Sequence, residues 1–259
     1  MKLPFIFISL LVTNFVWAQS TIVNTKDLTI LSVDKQAKAS KIEKPSLPKN
    51  DTTITLDATN KNESYFKVSS ANGTILTQGK LIKGQKEGIW RFYYEQGAPL
   101  KIEEYHNNKK NGIALTYDRT GFATTDETYK NDLLDGISIR FINGGKVKSQ
   151  TSYSAGKLNG KRILYYDDGT GKQEESEWKN GKKNGAIKWF YKKNVLMMEA
   201  IYIDDLFDGE QITYNEKGIM IKKGTYKLGK EEGDWLEYDA NGTIAKTTTY
   251  KNGEILGSK

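Results

Sequence analysis

The chain has 259 residues, of which 37% are hydrophobic and 27% are charged, and its formal net charge is +7 at pH 7. This apolar content is low for one large closed core, so an extended array fits better than a two-layer domain of this length. The chain has no cysteine, which excludes disulfide bonds and thiolate metal sites. The excess of lysine is compatible with an acidic partner, although lysines at sheet edges also serve solubility.

The first 18 residues have the pattern of a secretory signal peptide. Lys2 precedes an apolar run over residues 5–16, and the small residue Ala18 stands directly before Gln19. The run is short for a transmembrane helix, although an uncleaved N-terminal anchor remains the alternative. We therefore predict a signal peptide over residues 1–18 and an exported protein that is periplasmic or extracellular.

Residues 19–63 are predicted to form a flexible N-terminal segment or linker. Residues 34–51 combine lysine, alanine and serine with Pro45 and Pro48, a composition typical of a tether. Two short β-like runs, around residues 28–33 and 52–56, flank this stretch. Either run could add a strand to the array that follows.

From about residue 64 the chain repeats itself every 24 residues. Each unit is counted from an anchor glycine at position 0, with one extra residue between the fourth and fifth anchors; the anchors are Gly88, Gly112, Gly136, Gly160, Gly185, Gly209, Gly233 and Gly257. Aromatic residues follow at positions 5 and 17, and a second glycine lies at position 9, where Asn194 replaces it once. Because asparagine also tolerates positive φ, position 9 is expected to need a left-handed backbone.

The first half of each unit alternates in hydrophobicity, as in Ile113, Leu115 and Tyr117, which predicts a β-strand. The polar residues and glycine that follow predict a three-residue hairpin loop with position 6 paired to position 10. If the strands pair in this register along their whole length, one face of the sheet carries positions 1, 3, 5, 11, 13, 15 and 17. Between units, pairs such as Asn111-Gly112 and Asp135-Gly136 predict tight turns.

The sequence thus predicts an all-β protein over residues 64–259: an elongated, twisted antiparallel meander of about seven β-hairpin units. A degenerate hairpin precedes the first unit. Its loop glycine, Gly73, lies one period before Gly97, but it lacks the anchor glycine and the first aromatic residue. This pattern is typical of a capping repeat.

The repeated residues resemble the MORN repeat in its bacterial variant form. The phrase GKEEGDWLEYDANG at residues 229–242 carries the resemblance most clearly, followed by YKNG at residues 250–253. The resemblance covers residues 64–259 and implies a membrane-associated or scaffolding protein. Many bacterial members are similar to the YwqK-like antitoxin group, which implies binding and neutralisation of a toxin. For an exported chain, this becomes an immunity-type role outside the cytoplasm.

The sequence offers little for catalysis. It has one histidine and no glycine-rich phosphate loop of the usual spacing, and His106 is expected to be a solvated turn residue. Two connectors, residues 131–135 and 204–208, are acidic, but they lack the alternating aspartates of a calcium loop, and turn preference explains them. We therefore predict no enzymatic activity, no metal and no cofactor.

Even-numbered positions of the first strand distinguish the units from one another. Most units carry small or polar residues there, whereas several carry aromatic side chains. An exposed aromatic strip would mark a partner-binding surface, although coverage by the N-terminal segment or by the twisted sheet is the alternative. The predicted partner-binding residues are Trp90, Phe92, Tyr94, Trp189, Tyr191, Trp235, Lys182, Lys183, Lys192 and Lys193.

The leading functional prediction is a secreted, non-enzymatic repeat protein that acts as a protein-binding scaffold through an extended β surface. An envelope binder of anionic lipid or polysaccharide, which would use lysine-rich turns, is the alternative. Nucleic acid is an unlikely partner by the sequence, and the oligomeric state is left open.

Overall fold

The computed structural model describes residues 51–56, 60, 62–142 and 144–259, all of which belong to one compact unit spanning residues 46–259. The predicted signal peptide, the β-like run at 28–33 and most of the predicted linker lie outside the described residues. Nineteen strands of one sheet and one 3₁₀ turn make up the regular structure of this part of the chain. In these residues, no helix has the length and apolar character needed to cross a bilayer.

The strands are β1 Asp51–Leu56, β2 Glu63–Ser69, β3 Ile75–Ile82, β4 Gln85–Tyr93, β5 Pro99–His106, β6 Lys109–Tyr117, β7 Ala123–Lys130, β8 Leu133–Leu134, β9 Gly136–Ile142, β10 Lys146–Ser154, β11 Lys157–Tyr165, β12 Lys172–Lys179, β13 Lys182–Phe190, β14 Leu196–Ile203, β15 Leu206–Tyr214, β16 Met220–Lys227, β17 Lys230–Tyr238, β18 Ile244–Lys251 and β19 Glu254–Ser258. The 3₁₀ turn is Lys192–Asn194.

Strands that follow one another along the chain pair antiparallel, so the sheet is an open meander from β1 to β19. The short strands β8 and β9 share one position, since both pair with β7. β1, the second β-like run of the sequence, pairs with β2. β2 and β3 form the predicted capping hairpin. The all-β meander of hairpin repeats is therefore confirmed.

The loop within each hairpin has the predicted form. The N–H of Tyr94 donates to the carbonyl of Ala98 at 2.8 Å, which pairs position 6 with position 10. At position 9, φ is 85° for Gly97 and 62° for Asn194. The left-handed backbone is the reason for glycine or asparagine at this position.

The predicted grouping of positions on one face is wrong, because each hairpin contains a β-bulge. In unit 1, Tyr93 lies opposite Pro99, but Phe92 lies opposite Lys101, so Leu100 has no cross-strand partner. The same shift recurs in the other hairpins. An extra residue on one strand reverses the faces beyond it. Position 17 therefore lies on the face of positions 0, 2 and 4, together with Trp90 and Phe92.

The Asn-Gly and Asp-Gly pairs do not form the turns between units, so the prediction of tight turns at these pairs is wrong. The turns lie at positions 19 and 20, as at Asn107-Asn108, where φ is 50° and 66°. Positive φ at both residues is the type I′ geometry. Gly112 lies inside β6 with φ of 122°, in a bulge where residues 111–113 oppose Glu104. A Cβ at Gly112 would overlap the Glu104 carboxylate, so only glycine fits there.

In most units the residue before the anchor glycine caps the following turn instead. Asp135 Oδ2 accepts a hydrogen bond from the N–H of Ala155 at 3.0 Å, and Asp208 Oδ2 accepts one from the N–H of Leu228 at 3.2 Å. The type I′ turns also bond to the preceding connector, as the N–H of Asp132 does to the carbonyl of Lys110 at 2.9 Å. The turns thus form a hydrogen-bonded ladder along one side of the sheet. We call this side, with the residues flanking each turn, the connector rim, and the side with the hairpin loops the loop rim.

Candidate binding face

One face of the sheet carries the buried side chains of the described residues. It is formed by positions 0, 2 and 4 of the first strand of each unit and positions 13, 15 and 17 of the second, and we call it the ring face. The buried residues are Trp90, Glu103, Ala114, Ser138, Ser149, Thr151, Ser176, Ile187, Ala200, Tyr202, Trp235 and Thr248. Most of them occupy positions 2 and 15, which form a central row across the strands. A single-layer sheet here builds its core on one side.

Trp90 and Trp235 lie flat on this face. Each indole covers a glycine of the preceding strand, Gly79 or Gly224, where a Cβ atom would overlap the ring. The two tryptophans are 2% and 3% exposed. The side chains of the sheet itself therefore cover them, which is the alternative that the sequence left open.

The capping hairpin completes the core of unit 1. The rings of Phe66 and Trp90 lie 5.4 Å apart, and Tyr105 meets Trp90 edge-on at 6.3 Å. Lys86 Nζ lies 4.6 Å from the centroids of both Trp90 and Tyr105. A lysine thus closes this aromatic group on its solvent side.

A buried carboxylate, Glu103, lies beside this group. It accepts hydrogen bonds from Lys110 at 2.9 Å, from Lys101 at 3.0 Å and from the Tyr105 hydroxyl at 2.8 Å. Burial would raise the pKa of Glu103, but these three hydrogen bonds outweigh it and hold the pKa below its usual value. The carboxylate is therefore ionised and fully paired. A glutamate at position 15 of the repeat gives no sign of burial in the sequence, so Glu103 is not among the predicted site residues.

The aromatic residues of position 17 form a second row, next to the connector rim. The row consists of Tyr105, Tyr129, Tyr153, Trp178, Tyr202, Tyr226 and Tyr250. Residues two before each anchor alternate with them across the strands: Lys110, Leu134, Leu158, Lys183, Phe207 and Glu231. Lys110 Nζ lies 4.7 Å over the Tyr129 ring, and Lys183 Nζ lies 5.1 Å over the Tyr202 ring. Rings and their neighbours are therefore stacked along the row.

At the C-terminal end the contacts are purely aromatic, in tilted, stacked and edge-on geometries. Successive ring centroids lie 4.2, 4.9, 5.0 and 6.3 Å apart in the order Tyr202, Phe207, Tyr226, Trp235 and Tyr250. We call these five residues the ring cluster. Phe207, Tyr226 and Tyr250 are half-buried and keep part of their surface in solvent. The cluster is the largest continuous aromatic group of the described residues.

The predicted partner-binding residues divide among three places. Trp90, Phe92, Lys183, Trp189 and Trp235 lie on the ring face, Tyr94, Tyr191, Lys192 and Lys193 lie on the loop rim, and Lys182 lies on the connector rim. On the loop rim, the Tyr94 hydroxyl donates to the Tyr117 carbonyl at 2.9 Å and the Tyr191 hydroxyl to the Tyr214 carbonyl at 3.2 Å. These two tyrosines brace neighbouring loops. The predicted set is thus not one contiguous strip.

On the loop rim, Asn194 of unit 5 contacts the loop of unit 4, which contains the extra residue. Asn194 Oδ1 accepts a hydrogen bond from the N–H of Lys172 at 2.7 Å, and a Cβ on Gly171 would lie only 2.6 Å from that oxygen. A shallow cleft beside them is lined by Lys148, Tyr166, Asp167, Asp168, Gln173 and Lys192. Hydrogen bonds from Lys192 and Thr170 hold the pKa of Asp168 far below its usual value. The charges of the cleft are paired with one another.

The polar groups considered for chemistry serve the turns. His106 is exposed, and its Nδ1 lies 2.9 Å from Glu87 Oε1. In the acidic connectors, Asp132 Oδ1 accepts the N–H of Lys110 and Asp205 Oδ1 the N–H of Lys183, both at 2.8 Å. Within the described ranges, no three His, Cys, Asp or Glu side chains are grouped so as to hold a metal ion.

Comparison with known families matches the repeat unit. The model of the MORN repeat variant matches residues 86–107, 207–228 and 231–252. Each match runs from position −2 to position 19, which is one hairpin of the sheet. No curated protein matches the chain significantly. The three matched hairpins are MORN repeats of the variant form, and the resemblance seen in the sequence is confirmed.

Proposed function

We propose that the chain is a non-enzymatic repeat protein that binds another protein through the ring face, with the ring cluster at the centre of the contact. One observation carries this proposal: in units 5–7, five rings contact one another in an unbroken series on one face of a single-layer sheet, and three of them keep part of their surface in solvent. Aromatic residues are enriched at the centres of protein interfaces, where they contribute most of the binding energy.

Phe207 distinguishes the ring cluster from the other units. It occupies position −2, where units 1, 2 and 5 hold Lys86, Lys110 and Lys183. In those units, a lysine ammonium group lies over the neighbouring rings. With phenylalanine at this position, the surface becomes continuous and apolar, which favours a partner that covers it.

The substitution Phe207→Lys tests this proposal, because the repeat itself uses lysine at that position. Leu134→Lys is the matched control, since Leu134 is half-buried at the same position of unit 3. Immobilised wild-type and variant chains are incubated with extract of the source cells, including the envelope fraction, in 0.5 M salt. A specific partner should be retained by wild type and L134K, and its retention should fall at least ~10-fold with F207K, as for an interface hot spot.

Circular dichroism must show that both variants are folded. If F207K and L134K retain the same proteins as wild type, the ring cluster is not the contact. The functional proposal would then lose its main support.

We further propose that the protein acts outside the cytoplasm, exported by residues 1–18. The pattern of Lys2, the apolar run and Ala18 supports this step. Fractionation of the source cells followed by N-terminal sequencing should give a mature chain that begins at Gln19. A cytoplasmic chain that retains Met1 would contradict it.

An immunity-type role is the narrower form of this proposal, and it rests on the resemblance to the YwqK-like group. It requires that the captured partner be a toxin. Co-expression with that partner would then protect cells with the wild-type chain and fail with F207K.

A further inference from the structure

The connector rim carries a series of exposed lysines that form no salt bridge. They flank the type I′ turns, and six of them are Lys109, Lys157, Lys179, Lys182, Lys227 and Lys230. In the described part of the chain, the salt bridges of lysine are formed by other residues, most of them on the two faces and the loop rim. Exposed lysines without a salt bridge also occur elsewhere, such as Lys67 and Lys217, so what distinguishes this rim is the arrangement of its lysines around the turns.

The carboxylates of the same rim are occupied by the backbone. Asp135 and Asp208 accept N–H groups of the following turns, and Asp132 and Asp205 accept N–H groups of lysines 22 residues earlier. Glu232 Oε2 accepts a hydrogen bond from the N–H of Asn252 at 2.9 Å, and Glu232 Oε1 lies 3.5 Å from Lys251 Nζ. These acids are engaged with the turns and form no salt bridge with the six lysines, although each keeps its negative charge.

Two of the turns place lysines directly opposite each other. Lys179 pairs with Lys182 across the turn at 180–181, and Lys227 pairs with Lys230 across the turn at 228–229. Like charges in directly opposed positions destabilise a sheet. Lysines placed apart would keep the protein soluble equally well. The direct opposition of two lysines in each turn therefore points to a ligand of opposite charge.

We propose that the connector rim binds a linear anionic polysaccharide, laid along the turns. One unit adds two strands, or about 10 Å along the sheet, so the two lysine-paired turns, which are two units apart, lie about 20 Å from each other, with the acidic turn at 204–205 between them. Because neighbouring strands rotate by about 20–25°, the row winds with the sheet; a flexible polymer follows it, whereas a flat membrane meets only a few turns.

Single-stranded nucleic acid fits less well, because it is held by free ring faces on which bases stack. The aromatic row beside this rim has its rings stacked on lysines and on one another, as Lys110 on Tyr129 and Phe207 on Tyr226. The rim therefore offers charge without stacking platforms. This proposal stands on a different surface from the ring cluster and does not depend on it.

The test compares two quadruple variants of the full chain with equal net charge. K179Q/K182Q/K227Q/K230Q removes the paired rim lysines, and K67Q/K193Q/K217Q/K246Q removes four exposed lysines elsewhere. The probes are polygalacturonate, vesicles containing phosphatidylglycerol and single-stranded DNA, titrated at 50 and 200 mM NaCl. Wild type should bind polygalacturonate most tightly, with affinity that falls steeply with salt, and the rim variant should lose at least ~10-fold at 50 mM.

The control variant should lose less than about 3-fold, since screened charges remote from the contact contribute little. F207K should bind polygalacturonate at least as tightly as wild type, because it removes no rim lysine, so failure of the protein-binding proposal leaves this one standing. Equal losses in both quadruple variants, no binding by wild type at 50 mM NaCl, or tighter binding of vesicles or DNA would each overturn the proposal. The rim variant should melt no lower than wild type, because the opposed lysine pairs are gone.

Discussion

At the scale of single residues, the two buried tryptophans depend on glycines that are not part of the 24-residue period. Gly79 and Gly224 leave the space that the indoles of Trp90 and Trp235 fill. Neither glycine has a positive φ, so their role is steric. Sequence alone gave no reason to connect them with the tryptophans, because each pair is brought together by strand pairing.

Gly224→Ala should destabilise the protein by about 2–4 kcal/mol, because the new methyl group overlaps the Trp235 indole. In a Trp235→Ala background the same change should cost less than about 1 kcal/mol, since the ring is gone. Urea unfolding of the two single variants and the double variant measures this coupling. Gly257→Ala, with no heavy atom within 4 Å of the added Cβ, is the control and should be neutral. Additive effects of G224A and W235A would contradict the steric explanation.

The pH dependence of stability has an identifiable source in Glu175. Hydrogen bonds from Lys161 and Lys172 lower the pKa of this carboxyl to about 2. Its stabilisation is therefore present above the unfolded-state pKa of about 4.3 and is lost as pH falls toward 2. Glu175→Gln should cost about 1 kcal/mol at pH 7, because solvent around the lysines screens the pairs.

Urea unfolding between pH 6 and pH 2.5 tests this expectation. The difference in unfolding free energy between wild type and E175Q should shrink as the pH falls. Glu216→Gln, at an exposed loop position without an ion pair, is the control and should differ little from wild type at any pH. A difference for E175Q that stays constant with pH would contradict the assignment.

At the scale of elements, the turns explain why the Asn-Gly signal was misassigned. Asn-Gly and Asp-Gly suit a type I′ turn, but they also suit a bulge in which the glycine follows a capping side chain. The hydrogen bond from the N–H of Ala155 to Asp135 spans 20 residues, so no local pattern reveals it. The true turns, such as Asn131-Asp132, lie a few residues earlier and carry the positive φ values.

Asp135→Ala should lower the unfolding free energy by about 0.5–1.5 kcal/mol, because the N–H of Ala155 loses its partner. Asn159 occupies the equivalent position of the next unit, and its side chain has no hydrogen bond to a described residue. Asn159→Ala should therefore change stability by less than about 0.5 kcal/mol. Equilibrium unfolding in urea and the exchange rate of the Ala155 amide provide the measurement. Equal losses in the two variants would show that the cap contributes nothing specific.

At the scale of the whole molecule, each described hairpin contacts mainly its neighbours along the meander. Stability in such an array is local, since it is a sum over units and their interfaces. Trp90→Ala should increase amide exchange in β3–β5 and leave β16–β18 unchanged, and Trp235→Ala should do the reverse. Native-state hydrogen exchange of both variants gives the answer. A uniform increase along the chain would mean that the sheet unfolds as one cooperative unit.

The sequence by itself determined the number of units, the hairpin loops and the capping hairpin. These features depend on local chemistry: Gly97 and Asn194 mark their loops because positive φ is a property of single residues. The tertiary structure alone decided which residues share a face, because that depends on the number of residues on both paired strands. The unpaired residue at Leu100 moves Tyr105 to the side of Trp90, and the burial of Glu103 follows from the same register. The direct opposition of Lys179 to Lys182 and of Lys227 to Lys230 likewise depends on strand pairing across the turns.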